Sequence, residues 1–322
     1  MEGIVSQIRT IAAEADSIGL AAIQDALCQL LRDLESPQNT LLWLYNDHLC
    51  IAVVHVEIRS GLFRSLSQSQ SPLSVPQLAD QTGTSTQLLE RIALFLASNN
   101  VIDEAGKGQF KANKSTYILA DPEAEAFASH AFDLAGPAIQ ALPSLIVETG
   151  YADITDAAKS PFQKAFNTDL PCFVKEALNA DGDNEDVFSW TAVRDKYPSL
   201  KGQLIEANNM LQEQKVKGAR FYYLRHVLHD FPDAKCVQIL QHLRSAMTQG
   251  SRIPIDEVAV PEKNVPWQSA MADLSMMVLL GGRERTQEQW AMLAQTSSLQ
   301  ITEVHEYNEP RSLSWVIVLE MD

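Results

Sequence analysis

Between Arg220 and Glu320 the apolar residues switch repeatedly between a period of two and a period of 3.6, and few topologies satisfy that alternation. RFYYL (Arg220–Leu224) reads as a strand, Ala234–Met247 as a helix with Val237, Leu240 and Leu243 on one face, and IPIDEVAV (Ile253–Val260) as a second strand. Helices are expected over Trp267–Leu280 and Thr286–Thr296. Strands follow at Ile301–Tyr307 and Ser314–Glu320, joined by a Pro-containing turn. Strands alternating with helices make a mostly parallel sheet covered on both faces. The closing pair has only a short connection and must be antiparallel, because parallel neighbours need a long crossover.

The preceding part reads as helical. Ile8, Ile11, Ala12, Ala21, Ile23, Leu27, Leu30 and Leu31 recur at helical spacing, as one or two long helices needing a partner surface, and a further apolar helix is expected from about Leu49 to Leu62. Ser74 before Pro76 is an N-cap signal and Gly83 a stop. The next helix, Ser85–Ser98, places Leu88, Ile92, Phe95 and Leu96 on one face, and Phe110–Leu119 reads as a β-wing. That is a helix–turn–helix–wing pattern, but its candidate reading helix carries one basic residue, Arg91, in a chain of net charge -16. Phosphate backbones reward clustered Lys and Arg, so the expectation is a structural, dimerising winged helix with neither a nucleic-acid nor a membrane partner. Helices continue over Glu123–Thr149, and the acidic stretch Asp181–Asp186 is the expected linker, dividing the 322 residues into domains 1–180 and 181–322. Apolar runs such as Met276–Leu280 fall short of a bilayer span, and the N-terminus lacks a secretory pattern. Cys28, Cys50, Cys172 and Cys236 have no metal-binding spacing and read as reduced thiols, so a cytoplasmic location is expected.

Ligands in open α/β sheets bind beyond the carboxyl ends of the strands. Three polar features stand there: LRHVLHDFPD after the first strand, Asp256-Glu257 on the second, and GGRERT between two helices. His229 is the natural general base among them, since a neutral imidazole accepts a proton near physiological pH. Glu257 and Glu284 would orient its ring and stabilise the imidazolium. Asp233 reads as the N-cap of the Ala234–Met247 helix.

The run VKGARFYYLRHVLHDFPDAKCVQIL, followed by IDEVAVP, ADLSMM and GGRERT, resembles the catalytic segment of plant- and fungal-type S-adenosylmethionine-dependent O-methyltransferases. With PFQKAFNTDLP and the helical half upstream, the resemblance covers nearly the whole chain, nearest to fungal secondary-metabolism members. It implies a helical winged-helix dimerisation domain joined to a Rossmann-like α/β catalytic domain, acting as a homodimer. It implies S-adenosyl-L-methionine as methyl donor and an aromatic or polyketide-like hydroxyl as acceptor. It places His229 on the catalytic base, Glu257 and Glu284 on the flanking carboxylates, and Asp273, Met276 and Met277 on the helix lining the acceptor pocket. Phe166, Trp267 and Met271 are further candidates for that pocket, each equally readable as core.

One segment departs from the family. The family binds its cofactor on a turn of the form DVGGGxG, where glycine lets the backbone approach the ligand. Between Glu176 and Val216 this chain has only Gly182 and Gly202. Glu206, or failing it Asp195, is the remaining candidate for the ribose carboxylate. The 30 residues from Val187 to Val216 are too few for two full crossovers, so the first half of the sheet must be shortened or rearranged. A real loss, a mis-spliced coding sequence and a rebuilt loop all fit that text. Three functions follow: methyl transfer, a cyclisation, dehydration or isomerisation in the same pocket, or a non-catalytic dimer partner.

Overall fold

The structure is a computed structural model that describes residues 2–170, 172, 209–307 and 314–321. It has a helical N-terminal region and a C-terminal α/β region, and the chain divides into two compact units, Ala26–Pro137 and Met1–Asp25 with Ala138–Asp322. The expected linker at 181–186, Glu206 and Asp195 lie outside the described residues.

The N-terminal periodicity resolves into α1 (Glu2–Glu14) and α2 (Ser17–Leu34), divided where Asp16 Oδ1 accepts from the Gly19 N–H at 2.8 Å. Neither helix buries a residue. The next helix, α3 (Pro37–Ser60), begins well before the expected Leu49, because Ser36 Oγ accepts from the Asn39 N–H and Pro37 suits the first turn. Gly61 ends it at φ 83°, a conformation that costs glycine little. At 24 residues α3 is long and apolar enough, by length and composition alone, to cross a membrane. This corrects the expectation that no segment reaches that length: its polar residues are interspersed, so no unbroken apolar run marks it.

Within Ala26–Pro137, α4 (Leu62–Gln68), α5 (Val75–Thr82) and α6 (Thr86–Ser98) enclose a core in which Leu62, Leu78, Leu89, Leu96 and Phe110 are fully buried. Ser74 and Gln77 form a capping box at the start of α5, and Gly83 stops it in the left-handed region. The buried face of α6 is Leu89, Ala93 and Leu96, one residue out of phase with the expected stripe, and Leu88 is exposed. Small Ala93 allows the close approach that a search for large side chains overlooks. The strand expected over Phe110–Leu119 also falls elsewhere. Strands β2 (Asp103–Gly106) and β3 (Gln109–Lys111) pair antiparallel, with β1 (Leu73–Ser74) on the other edge of β3. The expected strand beyond Lys111 is instead helix α7 (Lys114–Leu119), because Asn113 and Thr116 form a capping box there. The chain continues through α8 (Pro122–Ser129), a π-helical turn at His130–Ala135 and α9 (Gly136–Glu148).

In the other unit, α10 (Pro161–Phe166) starts on a Ser160–Gln163 capping box. The sheet is built from β4 (Leu224–Arg225), β5 (Ile253–Val260), β6 (Arg285–Thr286), β7 (Leu299–Glu306) and β8 (Ser314–Met321). Its order is β4-β5-β8-β7 with β6 also on β5. β5 is parallel to β4 and β6, and the β7–β8 pair is antiparallel, as the short connection requires. The expected strand Arg220–Leu224 is reduced to a bridge from Phe221 to Arg252 and the two residues of β4. That strand stands at the end of the order, with β5 its only partner among the described residues, so one ladder alone holds it. Helices α11 (Asp233–Ala246), α12 (Trp267–Leu280) and α13 (Gln287–Thr296) connect the strands. Leu228, Cys236, Ile239, Leu240, Ile253, Ile255, Trp290 and Ile317 form the core.

Candidate active site

The site is built where β4 ends beside the middle of β5. Arg225 pairs with Asp256, and the His226 N–H donates to the Asp256 carbonyl at 3.1 Å, after which the backbone turns sharply with His226 at φ 49°. The turn is held from inside by Glu257, fully buried, whose Oε1 accepts the N–H groups of Val227 (2.9 Å) and Leu228 (2.8 Å). A single 3-10 turn, Leu228–Asp230, then presents His229.

A second strap crosses this turn. Gly281 closes α12 in the left-handed region, and the Arg283 N–H donates to the His229 carbonyl at 2.9 Å. Gly282 passes so close that a Cβ there would lie 2.0 Å from that same oxygen. Asp273 Oδ1 accepts the Glu284 N–H at 2.9 Å and so fixes the next residue of the strap. Glu284 Oε1 then lies 2.9 Å from His229 Nδ1, with Glu257 Oε2 3.5 Å from the same nitrogen. His229 Nε2 is directed to the other side, 3.4 Å from Asp230 Oδ1. The expected triad of His229, Glu257 and Glu284 is therefore assembled, and the His229 side chain keeps 12% of its surface exposed.

Burial alone would lower the His229 pKa, but the hydrogen bond to Glu284 and the charges of Glu257, Glu284 and Asp230 outweigh it and raise the imidazole above its ordinary value. Burial raises Glu257, and it pushes Asp230 up to about 6. With Nδ1–H donated to Glu284, the lone pair lies on Nε2, the geometry of a general base oriented by a carboxylate.

The remaining candidates scatter. Asp273 and Met277 line a cavity of about 270 Å³ with Ile154, Pro232, Asp233 and Arg283. His229 is not among its lining residues. Met276 is half-buried and its carbonyl accepts the Gly282 N–H, Trp267 and Met271 are exposed, and Phe166 packs its ring 4.8 Å from that of Phe162. Asp233 is not the N-cap of α11. Pro232 occupies that position, and Asp233, one residue later, accepts from the Arg285 guanidinium at 2.7 and 2.9 Å. Arg285, 1% exposed, also donates to the carbonyls of Leu228 (3.0 Å) and Phe231 (2.9 Å) and stacks over Trp290. It clamps both ends of the His229 turn, a role not expected from the sequence. No periodic signal marked it, since β6 begins only at Arg285 and the adjacent Glu284 is buried as well.

Residues 157–300 match the O-methyltransferase domain family. The chain is 32% identical to O-methyltransferase lepI of Aspergillus flavus over 370 aligned positions, covering 95% of this chain and 96% of that protein. The chain belongs to the S-adenosylmethionine-dependent O-methyltransferase family. It is also 31% identical to demethylsterigmatocystin 6-O-methyltransferase of the same organism, over 99% of this chain and 98% of the relative. Among solved structures, one described as a pericyclic reaction enzyme superposes with a TM-score of 0.86 at 31% identity, covering all of this chain and 99% of the other. The structure of LepI in complex with SAM superposes with a TM-score of 0.85 at 30% identity, covering all of this chain and 98% of that one.

S-adenosylmethionine is the family's cofactor, and the acceptor side of the site fits its chemistry, with a base flanked by carboxylates. The donor side falls on the stretch between Glu176 and Val216, most of which lies outside the described residues. The lepI alignment exceeds the 322-residue chain by 48 positions, so at least that many have no counterpart here. The sequence between Glu176 and Val216 holds no glycine-rich turn. Midway along β5 the hydroxyls of Tyr223 and Tyr307 both donate to Asp256, which leaves that carboxylate engaged within the protein.

Proposed function

We propose that this protein is a secondary-metabolism enzyme of the O-methyltransferase type, which deprotonates a hydroxyl of an aromatic or polyketide-like small molecule as that oxygen accepts a methyl group. The reading is carried by the 2.9 Å contact of His229 Nδ1 with Glu284, which leaves Nε2 to face an acceptor. Neutral His229 takes the hydroxyl proton on Nε2, and the resulting imidazolium is stabilised by Glu284 and by the buried Glu257 beside it. S-adenosylmethionine, when bound, supplies the methyl group as a sulfonium. We read α5, α6 and the β2–β3 hairpin as a winged helix that serves dimerisation, in a chain organised as halves 1–180 and 181–322. The sheet is read as a Rossmann-like one whose first half is shortened.

A second reading draws on the missing glycine-rich turn. The same base would serve a cyclisation, dehydration or isomerisation in place of methyl transfer, and a structure described as a pericyclic reaction enzyme shares the fold. The first reading is tested on purified protein titrated with S-adenosylhomocysteine. Methyl transfer requires a rise in melting temperature, equivalent to about 2.7 kcal/mol at a hundredfold excess over Kd. No shift at millimolar ligand ends that reading and leaves the second. His229→Ala then abolishes turnover in an enzyme of either kind and changes nothing in a non-catalytic dimer partner.

A further inference from the structure

We propose that His226, His229 and Glu257 form a divalent transition-metal site, with Zn2+ as the fitting ion. The two histidines stand three residues apart on the turn, with ring centroids 5.4 Å apart. Their Nδ1 atoms face one carboxylate oxygen, Glu257 Oε2, from 3.8 Å (His226) and 3.5 Å (His229). That oxygen is buried and has no hydrogen-bond partner, whereas its twin Oε1 is satisfied by two backbone N–H groups. A buried anionic oxygen left without a donor points to a cation that it would bind.

The three ligand atoms lie within 4.8 Å of one another. Tetrahedral zinc with bonds of 2.0–2.2 Å holds its ligand atoms about 3.3 Å apart. The two histidine–glutamate separations are within about half an ångström of that, and the exposed His226 ring is free to close the rest. Two imidazoles and a carboxylate form the borderline set that zinc favours, with a fourth position left open. Coordination at His229 Nδ1 displaces the contact with Glu284, whose carboxylate remains beside the ion as a second negative charge.

A metal on Nδ1 confines the ring proton to Nε2 and removes the lone pair that the base requires. Zn2+ is thus an inhibitor of the deprotonation step, a consequence that rests on the general-base reading, while the site itself does not. The test uses full-length protein stripped by a chelator, titrated with ZnCl2 by calorimetry and with CoCl2 by visible absorption. One ion per chain and a cobalt d–d band are expected. His226→Asn, which tolerates the positive φ, should weaken Zn2+ binding about tenfold or more with circular dichroism unchanged. Glu257→Gln keeps the oxygen that accepts Val227 and Leu228, loses the anionic ligand, and must weaken binding as well. Equal affinity in wild type and His226→Asn, or no heat and no cobalt band, overturns the site. Neither titration needs substrate or methyl donor, so a failed methyl-transfer assay leaves this result standing, and a failed titration leaves that reading standing.

Discussion

Gly282 is the residue on which the catalytic turn and its strap come closest. A methyl group added there meets the His229 carbonyl oxygen at 2.0 Å and the Asp230 carbonyl carbon at 2.7 Å, both backbone atoms that cannot swing aside. Gly282→Ala should therefore cost about 2 kcal/mol or more, because overpacked contacts force the backbone to move. It should also separate Glu284 from His229. Urea denaturation at constant slope reads the first effect and steady-state turnover the second. Glu284→Gln removes the charge but little volume, and should lower turnover by about a hundredfold with stability nearly unchanged. A second buried carboxylate behaves differently. Glu57 is fully buried in the other unit, its Oε2 accepts from Ser60 at 2.8 Å, and its Oε1 has no partner. Burial raises its pKa from 4.5, outweighing the Ser60 hydrogen bond, so the native state holds the proton more tightly than the unfolded chain. The ionised group therefore opposes folding at neutral pH, and that cost fades as pH falls through the raised value towards 4.5. Glu57→Gln should raise the melting temperature at pH 7, with the gain shrinking on acidification. A gain independent of pH would show that packing, not charge, is responsible.

At the scale of elements, β5 and β6 hold the site because they bring two straps to the same turn, one from inside and one across it. Arg285 on β6 carries the second. Removing its guanidinium takes a charged donor from the Leu228 and Phe231 carbonyls and the partner from Asp233, so Arg285→Ala should cost about 2 kcal/mol. The slackened His229 turn should also lower kcat more than it changes KM. Stability loss with kcat intact would mean the turn holds its shape without the clamp. The elements most legible in the sequence were those whose pattern is reinforced by both faces. Ile253–Val260 and Trp267–Leu280 were expected at the bounds observed, since a strand buried on both sides and a helix closed by Gly281 leave little choice. His229, Glu257 and Glu284 were named through the family resemblance of the segments that carry them, since their spacing alone is weak. The phase of α6, the start of α3 and the helix α7 were not. Each was decided by a small or capping residue, Ala93, Ser36 or Asn113, whose effect emerges only when a neighbour is present. Arg285 and Gly282 were hidden for the same reason: what they do depends on a contact more than 45 residues away in the chain.

For the whole molecule the open question is what covers the N-terminal helices. α1 and α2 bury none of their residues, and Leu30, Leu31 and Leu34 are 52%, 62% and 76% exposed. On α3, Leu41, Leu42, Trp43, Leu44 and Tyr45 are exposed too. Helices of this length draw most of their stability from packing an apolar face, and a patch on this scale marks an association surface. A second copy of the chain is the occupant proposed, since a two-fold interface brings the same apolar patch to itself. Sedimentation velocity should find a dimer at micromolar concentration, with added helix content lost on dilution. Leu31→Glu combined with Leu34→Glu places two like charges in each half of that interface, and should give a monomer that retains the α/β unit but melts earlier. A wild-type chain that sediments as a monomer with its full helix content would instead mean that these helices stand without a partner. Their apolar residues would then require another surface to explain them.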